Sequence, residues 1–132
     1  MKKIVFDAHA ILTWVQAEKG HKKVKSFITS CRDKSLHGYM NQINLGEVYY
    51  KTIRVVGLTE AKKFLESFYL LPLEILLPTS DIIWSASEIK AKYSISYADC
   101  FAAATAISLK AHIVTGDQEF KKLSKLVSIE WI

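Results

Sequence analysis

The sequence is poor in cysteine, proline and glycine, and it has no long hydrophobic run. Only two cysteines, Cys31 and Cys100, occur in 132 residues, and their wide separation predicts neither a disulfide framework nor a zinc motif. Two prolines and five glycines leave no linker rich in these residues, and every apolar stretch falls short of the roughly 20 residues that span a membrane. The apolar run 4–6 is also too short for the core of a signal peptide. We therefore expect one cytoplasmic domain over residues 1–132.

The composition is that of a globular protein with a basic bias. Hydrophobic residues make up 50% and charged residues 23% of the chain, which excludes disorder, collagen and coiled coil. Lys and Arg total 18 against 13 Asp and Glu, which gives a net charge of +5. This charge favours an anionic partner such as a nucleic acid, although the same charge also serves solubility.

Short apolar runs alternate with longer segments of helical periodicity. Strands are predicted over residues 4–6, 36–40, 73–77, 112–115 and 127–131. Helices are predicted over residues 8–18, around 24–28, and over 41–56, 59–69, 79–92, 97–110 and 117–123. Because strands separated by helices pair in parallel, the predicted fold is a three-layer α/β sandwich. Ligands bind beyond the carboxyl ends of such strands, which is where Asp7 and Asp117 are expected.

Four acids stand out by their sequence context: Asp7, Glu47, Asp99 and Asp117. Each has an ordinary structural explanation when taken singly. The first and the last can stabilise helix N-termini, Asp99 completes a capping box with Ser96, and Glu47 lies four residues before Lys51 at salt-bridge spacing. Their combination is more informative, because strand ends and helix N-termini that meet on one face would bring the carboxyl groups together.

Convergent carboxylates predict a divalent cation. Two carboxylates 4 Å apart repel by about 4 kcal/mol at an effective dielectric constant near 20, and Mg²⁺ or Mn²⁺ relieves that repulsion with oxygen ligands. Such an ion can activate water for phosphodiester cleavage, while basic residues bind the phosphates. Lys51 and Arg54 fall on the same side of the predicted helix as Glu47 and could contact RNA, or they could form a solvated face.

Four segments resemble the PIN-domain ribonucleases and, more narrowly, the VapC-type toxins of toxin–antitoxin pairs. The segments are Phe-Asp-Ala-His-Ala at 6–10, Asn-Leu-Gly-Glu-Val at 44–48, Ser-Tyr-Ala-Asp at 96–99, and Thr-Gly-Asp at 115–117 followed by Phe120. The resemblance implies a parallel sheet of about five strands and assigns catalysis and metal binding to the four acids. It also places Thr115 as the small polar residue before the last acid. Asn44 departs from the Ser or Thr that many members carry three residues before the helix acid, and it could still cap the helix or contact a metal-bound water.

The resemblance further implies an activity and partners. Members of the VapC group cleave RNA, often tRNA or ribosomal RNA, with Mg²⁺ or Mn²⁺. They commonly form homodimers and are inhibited by a VapB-type antitoxin whose C-terminal segment covers the groove. We expect the same substrate class, cofactor and partners here, and no membrane partner.

Two other classes compete with a nuclease. A receiver-type signalling domain requires adjacent acids after the first strand and another acid after a middle strand, whereas Asp7 stands alone and strand 73–77 is followed by Pro78 and Thr79. A phosphatase of the D-x-D type is disfavoured because Ala8 and His9 follow Asp7. The third possibility is a non-catalytic binding module, against which the four intact acids argue.

His9 and the aromatic residues receive structural interpretations. His9 is expected to be a packed or partly exposed helix residue rather than a metal ligand. Six aromatic residues are predicted to lie in the core, although some could face a dimer partner or an antitoxin: Trp14, Tyr49, Tyr50, Phe64, Phe68 and Tyr69.

Overall fold

Five parallel strands form one central sheet in a computed structural model that describes residues 2–132. The strands are β1 Lys2–Phe6, β2 Leu36–Asn41, β3 Leu73–Leu76, β4 His112–Thr115 and β5 Ile129–Trp131. The helices are α1 Ala8–Val15, α2 His21–Arg32, α3 Gln42–Val56, α4 Leu58–Phe68, α5 Ser80–Lys92 and α6 Tyr97–Leu109. A short 3₁₀ helix, Gln118–Leu123, joins β4 to β5. The predicted α/β fold with five parallel strands is confirmed.

Side-chain alternation along the strands divides the core into two layers. Ile4 and Phe6 of β1 pack with Met40 and Val114 against residues of α1, α2, α3 and α4. Val5, between them in sequence, points to the opposite face and packs with residues of α5 and α6. Helices therefore cover both faces of the sheet, as parallel sheets require.

Helix α6 lies directly on the sheet because its side chains are small. Its alanines from 102 to 104 and at 106 are buried, and the helix contacts β1, β2 and β4. Close packing of this helix brings its N-terminal turn, which carries Asp99, to the carboxyl edge of the sheet.

Several helix ends differ from the predicted ones. Helix α1 ends at Val15 rather than at residue 18, and α2 extends over His21–Arg32. Helix α4 begins at Leu58 after Gly57, whose φ of +85° is a conformation that glycine readily adopts. The helix predicted to begin at Thr59 therefore begins one residue earlier, and Gly57 rather than Thr59 lies at its N-cap. Helix α5 is capped by Thr79, which accepts a hydrogen bond from the Ile82 N–H at 3.4 Å.

The strand order creates a crevice at the centre of the sheet. The order is β3-β2-β1-β4-β5, so the chain runs outward from β1 to β3 and then returns to continue with β4 on the other side of β1. The carboxyl ends of β1 and β4 form the switch point at which open α/β sheets bind ligands. Among residues 2–132, no helix combines the length and apolarity needed to cross a membrane.

Candidate active site

Asp7 lies buried at the carboxyl end of β1, with both oxygens engaged. Its side chain is 1% exposed, and Oδ1 accepts a hydrogen bond from the Ala10 N–H at 2.8 Å, which caps α1. Its Oδ2 accepts a hydrogen bond from the Thr115 hydroxyl at 2.5 Å. The same hydroxyl accepts a hydrogen bond from the Asp117 N–H at 3.0 Å. Thr115 thus connects the acids that follow β1 and β4.

Burial favours the neutral, protonated form of the Asp7 side chain at neutral pH. Loss of solvation raises its pKa from 3.8 to about 8, and the neighbouring charges of Asp99 and Asp117 add to this rise. The hydrogen bonds from Thr115 and Ala10 lower the pKa but do not outweigh burial. The Asp7 side chain is therefore protonated at neutral pH when no metal ion is bound. A cation that binds to Asp7 would displace this proton.

Asp99 is held at the start of α6. Ser96 caps this helix and accepts a hydrogen bond from the Asp99 N–H at 3.1 Å, as the predicted capping box requires. Partial burial raises the pKa of Asp99 to about 6, opposed by the hydrogen bond with Ser96 and by Lys51, while Asp117 and Glu47 raise it further. Asp99 and Asp117 also act on Asp7, so Asp99 is electrostatically coupled to each of the other three predicted acids.

Glu47 and Asp117 complete the group and have local partners. Glu47 forms the predicted ion pair with Lys51, with Nζ and Oε2 3.0 Å apart, and this bond raises the pKa of Lys51. Asp117 Oδ1 accepts a hydrogen bond from the Glu119 N–H at 3.0 Å and caps the 3₁₀ helix. Glu47 and Asp117 therefore make the local contacts expected from their sequence context and also line the clefts.

Two clefts meet at a shared wall of four charged side chains: Glu47, Lys51, Asp99 and Asp117. The narrow cleft has a volume of about 260 Å³ and is also lined by His9. The wide cleft has a volume of about 560 Å³ and is also lined by Tyr50 and Lys90. Asp7 lies buried behind this wall. Arg54 is exposed, and its guanidinium carbon lies 4.9 Å from the centroid of the Tyr50 ring.

The chemistry of these donors fits a hard divalent cation. Every acidic group supplies oxygen, the ligand type of Mg²⁺ and Mn²⁺. Burial is the main cause of the raised pKa values of Asp7 and Asp99, and the charges of neighbouring acids raise both further. Within residues 2–132, no three His, Cys, Asp or Glu side chains stand close enough to hold one ion together. The Asp7 carboxyl group instead accepts hydrogen bonds from Thr115 and Ala10, and the Glu47 carboxylate pairs with Lys51.

Asn44 supports the site from within α3. It does not cap this helix, because Asn41 does so by accepting a hydrogen bond from the Ile43 N–H at 2.9 Å. The Nδ2 of Asn44 donates to the Ala98 carbonyl at 2.9 Å and so ties α3 to the turn that carries Asp99. Its Oδ1 is a buried polar atom without a hydrogen-bond partner among the described residues.

Sequence reasoning missed residues that line the clefts. Tyr50, which lines the wide cleft, was predicted to be a core residue but is 45% exposed. Tyr69, also predicted to be a core residue, is 54% exposed and lies outside both clefts. The spacing of Tyr50, three residues after Glu47, places it on the same helix face and could have revealed its position. Lys90 carried no such signal, because it comes from α5. His9 is exposed and contacts Gly116, where an added Cβ would lie 2.7 Å from the His9 Cε1.

This chain belongs to the PIN domain family, which it matches over residues 4–126. No curated protein matches it by sequence. It is similar to the solved structure of VapBC2 from Rickettsia felis bound to a promoter DNA fragment, at 15% identity, with 98% of each chain covered and a TM-score of 0.76. DNA-bound VapBC from Salmonella typhimurium gives 20% identity, 98% coverage of each chain and a TM-score of 0.75. VapC20 from Mycobacterium tuberculosis, described as a toxin that cleaves the sarcin–ricin loop, gives 16% identity, covers 96% of this chain and 98% of its own, and has a TM-score of 0.74.

The sheet order argues against the receiver-type alternative. A flavodoxin-like receiver has the order 2-1-3-4-5, whereas β3 lies at the sheet edge here. The residues after β3 are Leu77 and Pro78, so this strand end supplies no acid to the site.

Proposed function

We propose that this protein is a metal-dependent endoribonuclease that acts as the toxin of a toxin–antitoxin pair. The observation that carries this proposal is the wall of Glu47, Asp99 and Asp117 between two clefts, with Asp7 buried behind it at the switch point of the sheet. A stable fold does not require such a concentration of carboxyl groups. The oxygen donors are of the type that binds a cation, and Asp7 and Glu47 would have to leave their present hydrogen-bond and ion-pair partners to share one.

Each residue has a defined part in the proposed reaction. Asp7, Glu47, Asp99 and Asp117 would hold Mg²⁺ or Mn²⁺, which when bound activates water and neutralises charge at the scissile phosphate. Thr115 fixes the orientation of the Asp7 carboxyl group, and the Ser96 cap fixes the position of Asp99. Lys51 holds Glu47 in the metal-free form and supplies a positive charge beside the substrate backbone.

The proposed substrate is RNA, such as tRNA or ribosomal RNA. The net charge of +5 favours binding of a polyanion, and Lys51 and Lys90 bring part of that charge to the clefts. VapC20, which shares the fold, is described as cleaving the sarcin–ricin loop. We extend RNA cleavage to this chain, with Arg54 as a further RNA contact.

The proposed protein partners are a VapB-type antitoxin and a second copy of the chain. The VapBC structures that share this fold support the first of these. Co-purification with the product of a neighbouring short reading frame would test the antitoxin, and light scattering coupled to size exclusion would test the homodimer. A chain that is monomeric and has no such neighbour would contradict these two assignments.

RNA cleavage with purified protein tests the enzymatic proposal. The parent is expected to cut RNA with Mg²⁺ or Mn²⁺ and to stop when EDTA is added. Asp99→Asn and Asp117→Asn should abolish cleavage, whereas Glu60→Gln, on the exposed face of α4, should cleave at the parental rate. Cleavage by Asp99→Asn at the parental rate would contradict the site assignment.

Calorimetry with Mn²⁺ separates the nuclease from a non-catalytic module. The folded parent is expected to bind the ion, and Asp7→Asn and Asp99→Asn should bind it more weakly. A folded parent that neither binds Mn²⁺ nor cleaves RNA would favour the non-catalytic alternative.

A further inference from the structure

The wide cleft has the size and boundaries of a ligand site. Its volume of about 560 Å³ falls within the range of pockets that bind small organic molecules. Helix α3 contributes Tyr50 and Lys51 to one wall, and Lys90 of α5 and the segment 94–96 contribute to the rest. Because Glu47, Asp99 and Asp117 also line it, a molecule in this cleft lies directly beside the proposed reaction centre.

The segment 94–96 is fixed in place by two lysines. Lys90 Nζ donates to the Ile95 carbonyl at 2.6 Å, and Lys122 Nζ donates to the Ser94 carbonyl at 2.8 Å. Ser96 in turn caps α6. The cleft is therefore formed before a ligand arrives, which lowers the entropic cost of binding.

Tyr50 presents an aromatic ring to this cleft. The side chain is 45% exposed and lies three residues after Glu47 in α3, whose residues Leu45 and Val48 face the core. The guanidinium group of Arg54 lies over the ring, with its carbon 4.9 Å from the ring centroid. An exposed aromatic ring beside an arginine is a surface on which an unstacked nucleic-acid base can stack.

The cations of the cleft are suited to the backbone of the same nucleotide. Lys51 and Lys90 come from different helices and both line the cleft. Tyr50 and Lys51 are adjacent in α3 and line the same cleft. A nucleotide carries an aromatic base that can contact Tyr50 and a phosphate that can contact the lysines, whereas a hydrophobic peptide would gain little from this charged lining.

We propose that the wide cleft binds one unstacked nucleotide of single-stranded RNA, with its base on Tyr50 and its phosphate beside Lys51 and Lys90. The inference rests on the proposed ribonuclease function and names side chains that contact its substrate. The bases of an intact duplex are stacked on one another and are not free to contact Tyr50. The nucleotide that occupies this cleft must therefore be unpaired.

Equilibrium binding in EDTA tests this subsite without requiring cleavage. The probes are a fluorescein-labelled oligouridine octamer and an RNA duplex of equal length, followed by fluorescence anisotropy. Tyr50→Ala should weaken octamer binding about 10-fold, since stacking on one aromatic residue contributes about 1–3 kcal/mol. Tyr50→Phe, which keeps the ring, should bind within about twofold of the parent. Tyr69→Ala, which removes an exposed tyrosine outside this cleft, should match the parent.

An abasic octamer series locates the contact. For the parent, removing one base should weaken binding at a single position, and Tyr50→Ala should show no further loss at that position. Equal losses in the two proteins at every position, or octamer binding unchanged by Tyr50→Ala, would overturn the proposal. Duplex binding as tight as octamer binding would also overturn it.

The nuclease assignment and the nucleotide subsite can be contradicted independently of each other. If the parent binds the octamer through Tyr50 but does not cut RNA with Mg²⁺ or Mn²⁺, the nuclease assignment is wrong and the nucleotide subsite stands. If the parent cuts RNA but Tyr50→Ala binds and cuts equally well, the subsite is wrong and the nuclease assignment stands.

Discussion

The hydroxyl of Thr115 donates a hydrogen bond to the carboxyl group of Asp7, although 108 positions separate the two residues in the sequence. The parallel register of β1 and β4 pairs Phe6 with Val114, so the next residue of each strand lies at the same edge of the sheet. The buried acid and its hydrogen-bond donor are therefore brought together by strand pairing and not by local sequence.

Replacement of Thr115 by valine tests the importance of this bond. Thr115→Val keeps the size of the side chain but removes the donor to Asp7 and the acceptor for the Asp117 N–H. We expect a loss of about 1–3 kcal/mol in the free energy of unfolding and a loss of about 10- to 100-fold in Mn²⁺ affinity. Urea unfolding and calorimetry measure the two effects. Thr115→Ser, which keeps the hydroxyl, should retain most of both, and equal losses in the two variants would contradict the role of the hydroxyl.

The raised pKa of Asp7 predicts how metal-free stability depends on pH. The folded protein retains the Asp7 proton up to about pH 8, whereas the unfolded chain releases it near pH 3.8. Between these values the folded state binds more protons, so Asp7 makes the protein less stable as the pH rises. Asp7→Asn removes this titration and should raise the thermal midpoint in EDTA at pH 8 by more than at pH 5, while abolishing RNA cleavage.

Asp81→Asn is the control for this pH effect, because Asp81 is exposed in the first turn of α5. Thermal unfolding in EDTA at a series of pH values measures both variants against the parent. An equal shift of the midpoint at pH 5 and pH 8 in Asp7→Asn would show that Asp7 ionises normally.

The same titration predicts proton release when the metal binds. At pH 7 Asp7 still holds its proton, and a carboxyl group must lose it to become a ligand. We therefore expect binding of Mn²⁺ to release about one proton per ion. Calorimetry in buffers of different ionisation enthalpy measures this number, which should fall towards zero in Asp7→Asn. Metal binding by the parent with no buffer dependence would contradict the assignment of Asp7 as a protonated ligand.

The fold and the group of acids were predictable from the sequence for physical reasons. Strand 112–115 was predicted with its observed ends because a short apolar run between turn residues permits few alternatives. Asp7 was recognised because it directly follows a buried strand, and Ser96 was recognised because a helix cap has a local sequence pattern. Such features depend on neighbours within a few residues.

The remaining features depend on contacts between distant segments. Lys90 reaches the wide cleft only through the packing of α5 on α6, and its bond to the Ile95 carbonyl has no sequence signature. Tyr50 was assigned to the core because aromatic residues are usually buried, whereas its exposure follows from the cleft between α3 and the segment 94–96. Of the two roles left open for Asn44, capping of α3 is excluded because Asn41, three residues earlier, occupies the cap.

Asn44 offers a test of the contact between α3 and α6. Its Nδ2 donates to the Ala98 carbonyl, so Asn44→Ala loses one buried hydrogen bond and should lower the free energy of unfolding by about 1–2 kcal/mol.

Asn44→Asp should lower the free energy of unfolding further at pH 8, because a buried carboxylate beside a carbonyl oxygen and other acids has no positive partner. At pH 5 the new carboxyl group becomes protonated and can donate to the Ala98 carbonyl in place of the amide. Urea unfolding at both pH values should therefore show Asn44→Asp recovering stability relative to Asn44→Ala as the pH falls, with Gln42→Ala on the exposed face of α3 as the control. Equal penalties for the aspartate and alanine variants at both pH values would mean that Asn44 acts through packing alone.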